Sequence, residues 1–349
     1  MRAFIVDAYG KDARLRAGDR PEPAVGDRDV LVRVEAAGVN PLDAKILAGE
    51  FRRILPYRTP FVLGNDVAGV VERVGPAVRR FRPGDRVYAR PDEGRIGTFA
   101  ELVAVDEADL ARTPAGLTAE EAASLPLVAL TAWQALVERA DVRPGQKVLV
   151  HAGSGGLGSV AIQLAKHLGA HVATTASTAN VDRVRDLGAD QVIDYRTTDF
   201  ETALSGFDVV LDSLGPDNLA KSLRVLRPGG LAISVAGPPD PAFARRLGKP
   251  LLRPVMAVLS WKVRRAARRL GVRYSFLFMR ADGAQLQEIT SLVEAGVLRP
   301  VVDRVFGFDD TPAALDLVGS GRARGKVVVS MAPVTRTPTS QTPTRGEQS

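Results

Sequence analysis

Apolar residues recur at every second position through Val30, Val32, Val34 and Ala36, the period of a strand with one buried face. The runs 67–74 and 100–105 repeat that texture, and turn chemistry at Pro41, Gly64, Gly75-Pro76 and Pro83-Gly84-Asp85 separates such runs. Residues 1–117 therefore predict short, mostly antiparallel strands. At Thr118 the texture changes. Thr118 followed by Glu121 is a capping-box pattern, and the Ala/Leu-rich stretch to Arg139 predicts a helix bent near Pro126.

Beyond Pro144-Gly145 strand and helix alternate. Lys147–Val150 reads as a short buried strand, followed by a glycine-rich turn, a helix over 157–168 and a strand over 171–175. The alternation continues through helix 181–187, strands 191–194 and 207–211, helix 219–226 and strand 230–235. That is the pattern of a doubly wound parallel sheet. After Phe276 a short strand, an amphipathic helix over 284–295 and strands at 301–305 and 326–330 signal a return to the first, β-rich unit. The tail 333–349 has no apolar period and reads as disordered.

The turn after the first strand of the parallel unit is Gly153-Ser154-Gly155-Gly156-Leu157-Gly158, a G-x-G-x-x-G match between a strand and a helix. Glycines there let the backbone turn sharply and approach a pyrophosphate, while free helix N–H groups stabilise the anion. A site for NAD would carry Asp or Glu at the end of the second strand, to bind the ribose 2′-hydroxyl. Thr174-Thr175-Ala176-Ser177 stands there instead, with Ser177, Thr178, Asn180 and Arg183 as donors and Tyr195 after the third strand, so NADP(H) is expected. Arg183 and Tyr195 also fit an ordinary solvated charge and a half-buried aromatic.

The 349 residues include no cysteine, which removes disulfides, thiolate nucleophiles and sulfur-ligated zinc. No stretch has the apolar length of a membrane helix, and the start lacks the apolar core of a signal peptide; a soluble cytoplasmic protein is the expectation.

The segments AAGVNPLDAK (36–45), PFVLGNDVAGVVERVG (60–75), RPGDRVYA (82–89), LPLVALTAWQAL (125–136), VLVHAGSGGLGSVAIQLAKHLGA (148–170), VRDLGADQVIDY (184–195) and RARGKVVV (322–329) together resemble the medium-chain dehydrogenase/reductase superfamily over residues 1–332. Within it the chain is most similar to zinc-free quinone reductases and NADPH-dependent alkenal/one reductases. The resemblance implies an α/β protein: a GroES-like catalytic domain from 1–120 and 278–332, and a Rossmann domain at 121–277. It also implies a homodimer. Zinc-dependent members carry a metal-binding Cys where this chain has Asn40, and a GHE motif where it has Gly64-Asn65-Asp66; the three histidines all lie in the Rossmann unit, so no metal is expected.

Resemblance further implies that Asn40 and Asp43 sit near substrate and nicotinamide, and that Thr131 faces the nicotinamide. Lys45 occupies a position where alkenal/one reductases carry Lys and quinone reductases Tyr. Its ammonium would stabilise an enolate oxygen or supply a proton; the alternative is an ion pair with Asp43 or another carboxylate, as an Asx turn is for Asn40. The expected reaction is hydride transfer to the electrophilic carbon of an enone or enal, or to a quinone. A redox-silent NADPH-binding scaffold is the alternative.

Charge changes one further point. Lys and Arg exceed Asp and Glu by seven, a balance that raises nucleic acid as a partner. Ten of the cations, and no acid, fall in 241–273, which leaves the remainder at −3 and removes that argument for the body of the protein. Val255, Val258, Leu259, Val263, Ala266, Ala267 and Leu270 recur there at helical spacing. A lid over the substrate cleft is the preferred expectation; a helix docked by its apolar face, a subunit contact and a surface for acidic lipid or protein are the alternatives.

Overall fold

The computed structural model describes residues 1–332 apart from 53 and 56; the tail 333–349, expected to be disordered, lies outside the described residues. Six strands form one wholly parallel sheet in the spatial order Gln191–Asp194, His171–Ala176, Lys147–Val150, Phe207–Asp212, Leu226–Ser234, Arg273–Phe276. Numbered along the chain this is 3-2-1-4-5-6, the doubly wound Rossmann order. Its strand order reverses between Lys147–Val150 and Phe207–Asp212, so a crevice opens at their carboxyl ends, beside Ala152, Ser213 and Leu214.

A GroES-like sheet of seven strands draws on both ends of the chain. Val302–Gly307 and Lys326–Ser330 run parallel, and the latter lies antiparallel to the long strand Asp29–Val39. Val67–Val74, Arg86–Ala89 and Leu110–Arg112 complete one side, and Leu102–Asp106 pairs with Asp29–Val39. Alternation through Val30, Val32 and Val34 suggested one buried face, yet Leu31 and Ala37 are buried too. A strand with partners on both edges and packing above and below hides both faces, and its exposure pattern no longer follows its sequence period.

Several local expectations change. The helix expected to bend near Pro126 is broken there: Ala119–Ala123 and Pro126–Trp133 are separate α-helices, and a wider π-turn follows over Gln134–Arg139. Thr118 and Glu121 do form the capping box. Pro41, read as a turn, opens the helix Pro41–Ala48, because Asn40 caps it and proline at the first position sacrifices no hydrogen bond. The strand expected after Phe276 is Arg273–Phe276 itself, the sixth of the parallel sheet, and Thr311–Gly319 is a helix absent from the periodicity reading.

The basic segment forms the helices Pro241–Arg246, Arg253–Leu259 and Trp261–Arg269. Trp261–Arg269 lies against the Pro216–Val225 helix and the Arg273–Phe276 strand. No residue of 241–273 lines the cleft described below; Phe243 and Met256 pack against its wall residue Phe278 instead.

Candidate active site

A cleft of about 370 Å³ runs between the two sheets, with the glycine loop on one wall and the Pro41–Ala48 helix on the other. Gly153 and Gly158 are there because nothing larger fits. A Cβ on Gly153 would stand 2.1 Å from Thr174 Oγ1, and one on Gly158 would stand 2.3 Å from the Ala152 carbonyl oxygen. Gly155, Gly156, Leu157 and Gly158 line the cleft at the start of the Gly156–His167 helix, where free N–H groups favour an anion. The loop geometry therefore fits the pyrophosphate of a dinucleotide. Gly153 and Ser154 are not among the residues that line it.

Asn40, Lys45 and Thr131 line the same cleft. Thr131 Oγ1 donates to the Leu127 carbonyl at 2.6 Å, which leaves its oxygen free to accept. Lys45 is half-buried and forms no ion pair among the described residues; the pairing with Asp43 considered from sequence is absent. Asp43 lies one layer deeper. It is fully buried, accepting from the Asn40 backbone N–H at 2.7 Å and from Asn65 Nδ2 at 2.7 Å. Burial, opposed by those two hydrogen bonds, pushes its carboxyl up to about 7.

Sequence named Asn40 as a site residue and missed the buried lysine that binds it. Lys326 Nζ donates to Asn40 Oδ1 at 2.6 Å and to Asp66 Oδ2 at 2.9 Å, and both Lys326 and Asp66 are buried. Asn40 Nδ2 donates to the same Asp66 oxygen at 2.9 Å, while Asp66 Oδ1 accepts the Leu127 N–H at 2.8 Å near the start of the Pro126–Trp133 helix. Register explains the meeting: Val327 pairs with Val39, so Lys326 and Asn40 are carried to the same sheet end across 286 positions of sequence. Both ends of the Asn40 amide are committed to this wall. Gly156 is needed on the opposite side, since a Cβ there would stand 2.8 Å from Lys326 Cδ.

The candidates for the 2′-phosphate gather elsewhere, beyond the cleft lining. Asn180 is buried and donates to Ser177 Oγ at 2.8 Å; Arg183 is half-buried; Tyr195 is exposed, with the Arg196 guanidinium 6.0 Å from its ring centre. One reading is corrected here. The second strand ends without a carboxylate, but Asp194 at the end of the third is in register with Ala176 and accepts from Thr178 Oγ1 at 2.6 Å. That hydrogen bond and the Arg196 backbone N–H hold Asp194 below the usual carboxylate range. His151 has no part in the cleft lining: it is buried between Thr175 and Ser222, and burial pulls it down to about 4.

Residues 26–115 match the Alcohol dehydrogenase GroES-like domain family, and residues 187–329 match the Zinc-binding dehydrogenase family. The chain is 36% identical to "NAD(P)H oxidoreductase RTN4IP1, mitochondrial" of Danio rerio over 95% of this chain and 91% of the relative. It is 34% identical to "NADPH-dependent alkenal/one oxidoreductase, chloroplastic" of Arabidopsis thaliana, over 95% and 80%. Among solved structures, the quinone oxidoreductase from Coxiella burnetii superposes with a TM-score of 0.83 at 30% identity, covering 95% of this chain and 99% of that one.

The second of these family descriptions implies zinc, and the donor set tests it. The positions compared above with the zinc ligands hold Asn40 and Asn65, two neutral amides, beside Asp66. The single carboxylate among them already accepts from an ammonium that also holds Asn40 Oδ1. A divalent cation would have to displace Lys326 and sit on amide oxygens, which suit zinc poorly. These residues do not fit the metal.

Proposed function

Since the chain belongs to the medium-chain dehydrogenase/reductase superfamily, of the quinone oxidoreductase and alkenal/one oxidoreductase type, we propose that it is an NADPH-dependent reductase of enones, enals or quinones that works without zinc. The observation that carries this reading is that one cleft brings together the glycine loop, Thr131 and two lysines, Lys45 and Lys326. When bound, NADPH supplies the hydride; the glycine loop would hold its pyrophosphate and Thr131 its nicotinamide.

The residues of the chain supply charge, order and dryness. Hydride addition to an electrophilic carbon leaves negative charge on the conjugated oxygen. A cation in a largely apolar cleft stabilises such charge more strongly than it would in water. Lys326 has three N–H donors and spends two on Asn40 and Asp66, which fixes the third near the cleft. Lys45, free of ion pairs among the described residues, is positioned to bind the oxygen and to give the proton that completes reduction. Asp43 is a positioning residue: as the third residue of the Pro41–Ala48 helix it completes the capping box that fixes Asn40. Leu127, Phe278 and Met279 supply apolar wall that keeps water from the reacting carbon.

NADPH rather than NADH is our reading from Ser177, Thr178, Asn180 and Arg183, with Arg196 added by the fold; Asp194 works against it. Boundaries at 120/121 and 277/278, a homodimer and a cytoplasmic location belong to the same reading. Among the described residues no helix is long and apolar enough to cross a membrane.

The test is NADPH oxidation with a panel of enones, enals and quinones. Acceptor-dependent turnover supports the reading. Saturable NADPH binding with no turnover on any acceptor would identify a redox-silent scaffold and overturn it.

A further inference from the structure

Six large apolar side chains stand in solvent on one short stretch: Leu251, Val255, Val258, Leu259, Trp261 and Leu270. Among the described residues only two others of comparable size, Tyr195 and Leu214, are as open. Leu251 is 90% exposed and Val258 76%, values reached by side chains that touch almost nothing. Helical spacing left open whether this stripe would dock on the protein or face outward. The structure divides it: Val263, Ala266 and Ala267 pack inward, as do Met256 and Ser260, while Val255, Val258 and Leu259, three and four positions apart, and Leu270 point away.

Cations border the stripe. Arg253, Lys262, Arg265, Arg268 and Arg269 are exposed, and no residue of 241–273 enters an ion pair among the described residues. Arg265 lies over the Trp261 ring at 5.0 Å, so an aromatic and a guanidinium stand together on the outer side of the Trp261–Arg269 helix, next in the chain to the exposed aliphatics of Arg253–Leu259. Water stabilises neither half of that combination well: the aliphatic patch costs hydration free energy, and unpaired like charges repel one another.

We propose that the 251–270 face is a docking surface for an anionic lipid bilayer, with Leu251, Val258, Leu259 and Trp261 entering the headgroup boundary and the arginines holding lipid phosphates. This goes beyond the reductase reading and does not depend on it. Helices that lie in a membrane interface carry this combination of an apolar face and flanking Lys and Arg, and Trp favours the headgroup level. Charge complementarity selects this occupant. A second copy applied through a two-fold axis would set cations against cations with no acid on either side. A nucleic acid would satisfy the arginines and leave Leu251 and Val258 in water. The surface is also joined to the cleft, since Met256 packs in one apolar cluster with Phe278, a residue of the cleft wall.

The experiment uses the full chain carrying Trp133→Phe, which leaves Trp261 as its single tryptophan. It is mixed with phosphatidylcholine vesicles, with and without about a third phosphatidylglycerol, and sedimented. The expected result is retention on the anionic vesicles, weaker by at least about tenfold without anionic lipid, because each engaged cation contributes roughly a fivefold factor. Trp261 emission should shift to the blue and be quenched by brominated acyl chains. The triple variant Leu251→Ser/Val258→Ser/Leu259→Ser, all exposed positions, should melt like its parent and lose both signals. No retention, equal retention on neutral vesicles, or full retention by the triple variant would overturn the proposal. A concentration-dependent dimer that the triple variant abolishes, or an RNA oligonucleotide that displaces the protein from vesicles and binds parent and triple variant alike, would also overturn it, in favour of a second copy or a polyanion.

Discussion

Lys326 Nζ sits 2.9 Å from Asp66 Oδ2, and both groups are buried in the wall of the cleft. Removing one partner leaves the other as an uncompensated buried charge. Lys326→Met should therefore destabilise the protein by about 3–5 kcal/mol. Pairing it with Asp66→Asn should recover part of that loss, and a double-mutant cycle in denaturant measures the coupling. If the two effects simply add, the ammonium and carboxylate do not act as a pair.

Lys45 tests the chemistry without that complication, since among the described residues its side chain enters no ion pair. Lys45→Met should lower kcat/KM for an enone by about tenfold or more, the equivalent of about 1.4 kcal/mol of transition-state stabilisation. KM for NADPH should stay near its starting value. A change within about twofold in kcat/KM would remove Lys45 from the reaction.

Asp194 and Arg183 should act on the cofactor preference in opposite directions. Asp194 accepts from Thr178, close to where the notch for a 2′-phosphate is expected, so Asp194→Asn should raise kcat/KM with NADPH relative to NADH severalfold. Arg183→Ala should lower the same ratio. Both effects should shrink with added salt, because these groups lie near the surface. An NADPH/NADH ratio indifferent to both substitutions would place the adenosine ribose elsewhere.

What could be read along the chain was local. The glycine loop announces itself because the signal occupies six adjacent residues and its context is a strand followed by a helix. The alternation beyond Lys147 likewise carries the parallel sheet, since each unit is contiguous. Lys326 was invisible for the opposite reason: it matters through Asn40 and Asp66, and only the antiparallel register of Val327 with Val39 brings them together. Asp194 escaped similarly, because a search at the end of the second strand overlooks a carboxylate delivered by the third. The stripe at 251–270 shows the limit of periodicity itself. Helical spacing reports that apolar residues share a face, and it is silent on whether that face turns inward.

The glycines of the loop should differ in how they tolerate a methyl group. At Gly158 the added Cβ meets backbone, the Ala152 carbonyl, which has nowhere to go; Gly158→Ala should cost about 1–3 kcal/mol and weaken NADPH binding, with no side-chain change able to restore it. At Gly153 the nearest atom is the Thr174 hydroxyl, so Gly153→Ala should be partly relieved by Thr174→Ala. Thermal melts with and without NADPH distinguish the two, and equal rescue at both positions would contradict the contact geometry.

Asp43 gives the clearest dependence on pH. Its carboxyl is pushed from 3.8 up to about 7 in the folded chain, chiefly by burial. Between roughly pH 4 and pH 7 the unfolded chain has therefore lost this proton while the folded chain still holds it. In that window a rise in pH favours unfolding, so Asp43 withdraws stability as pH climbs, and its contribution levels off above about 7. Carboxylates paired with arginine, such as the buried Asp29 with Arg95, act in the opposite sense, so the measurement must be a difference between variants. Asp43→Asn keeps an oxygen for the Asn40 N–H, and, with the Asn65 amide turned over, its new NH2 donates to Asn65 Oδ1, which has no partner among the described residues. Its melting temperature, relative to the parent, should rise across the window and then run parallel. Lys326 favours ionisation of Asp43, so in a Lys326→Met background the window should extend to higher pH. Parallel curves from pH 4 upward would mean that Asp43 is already ionised when folded.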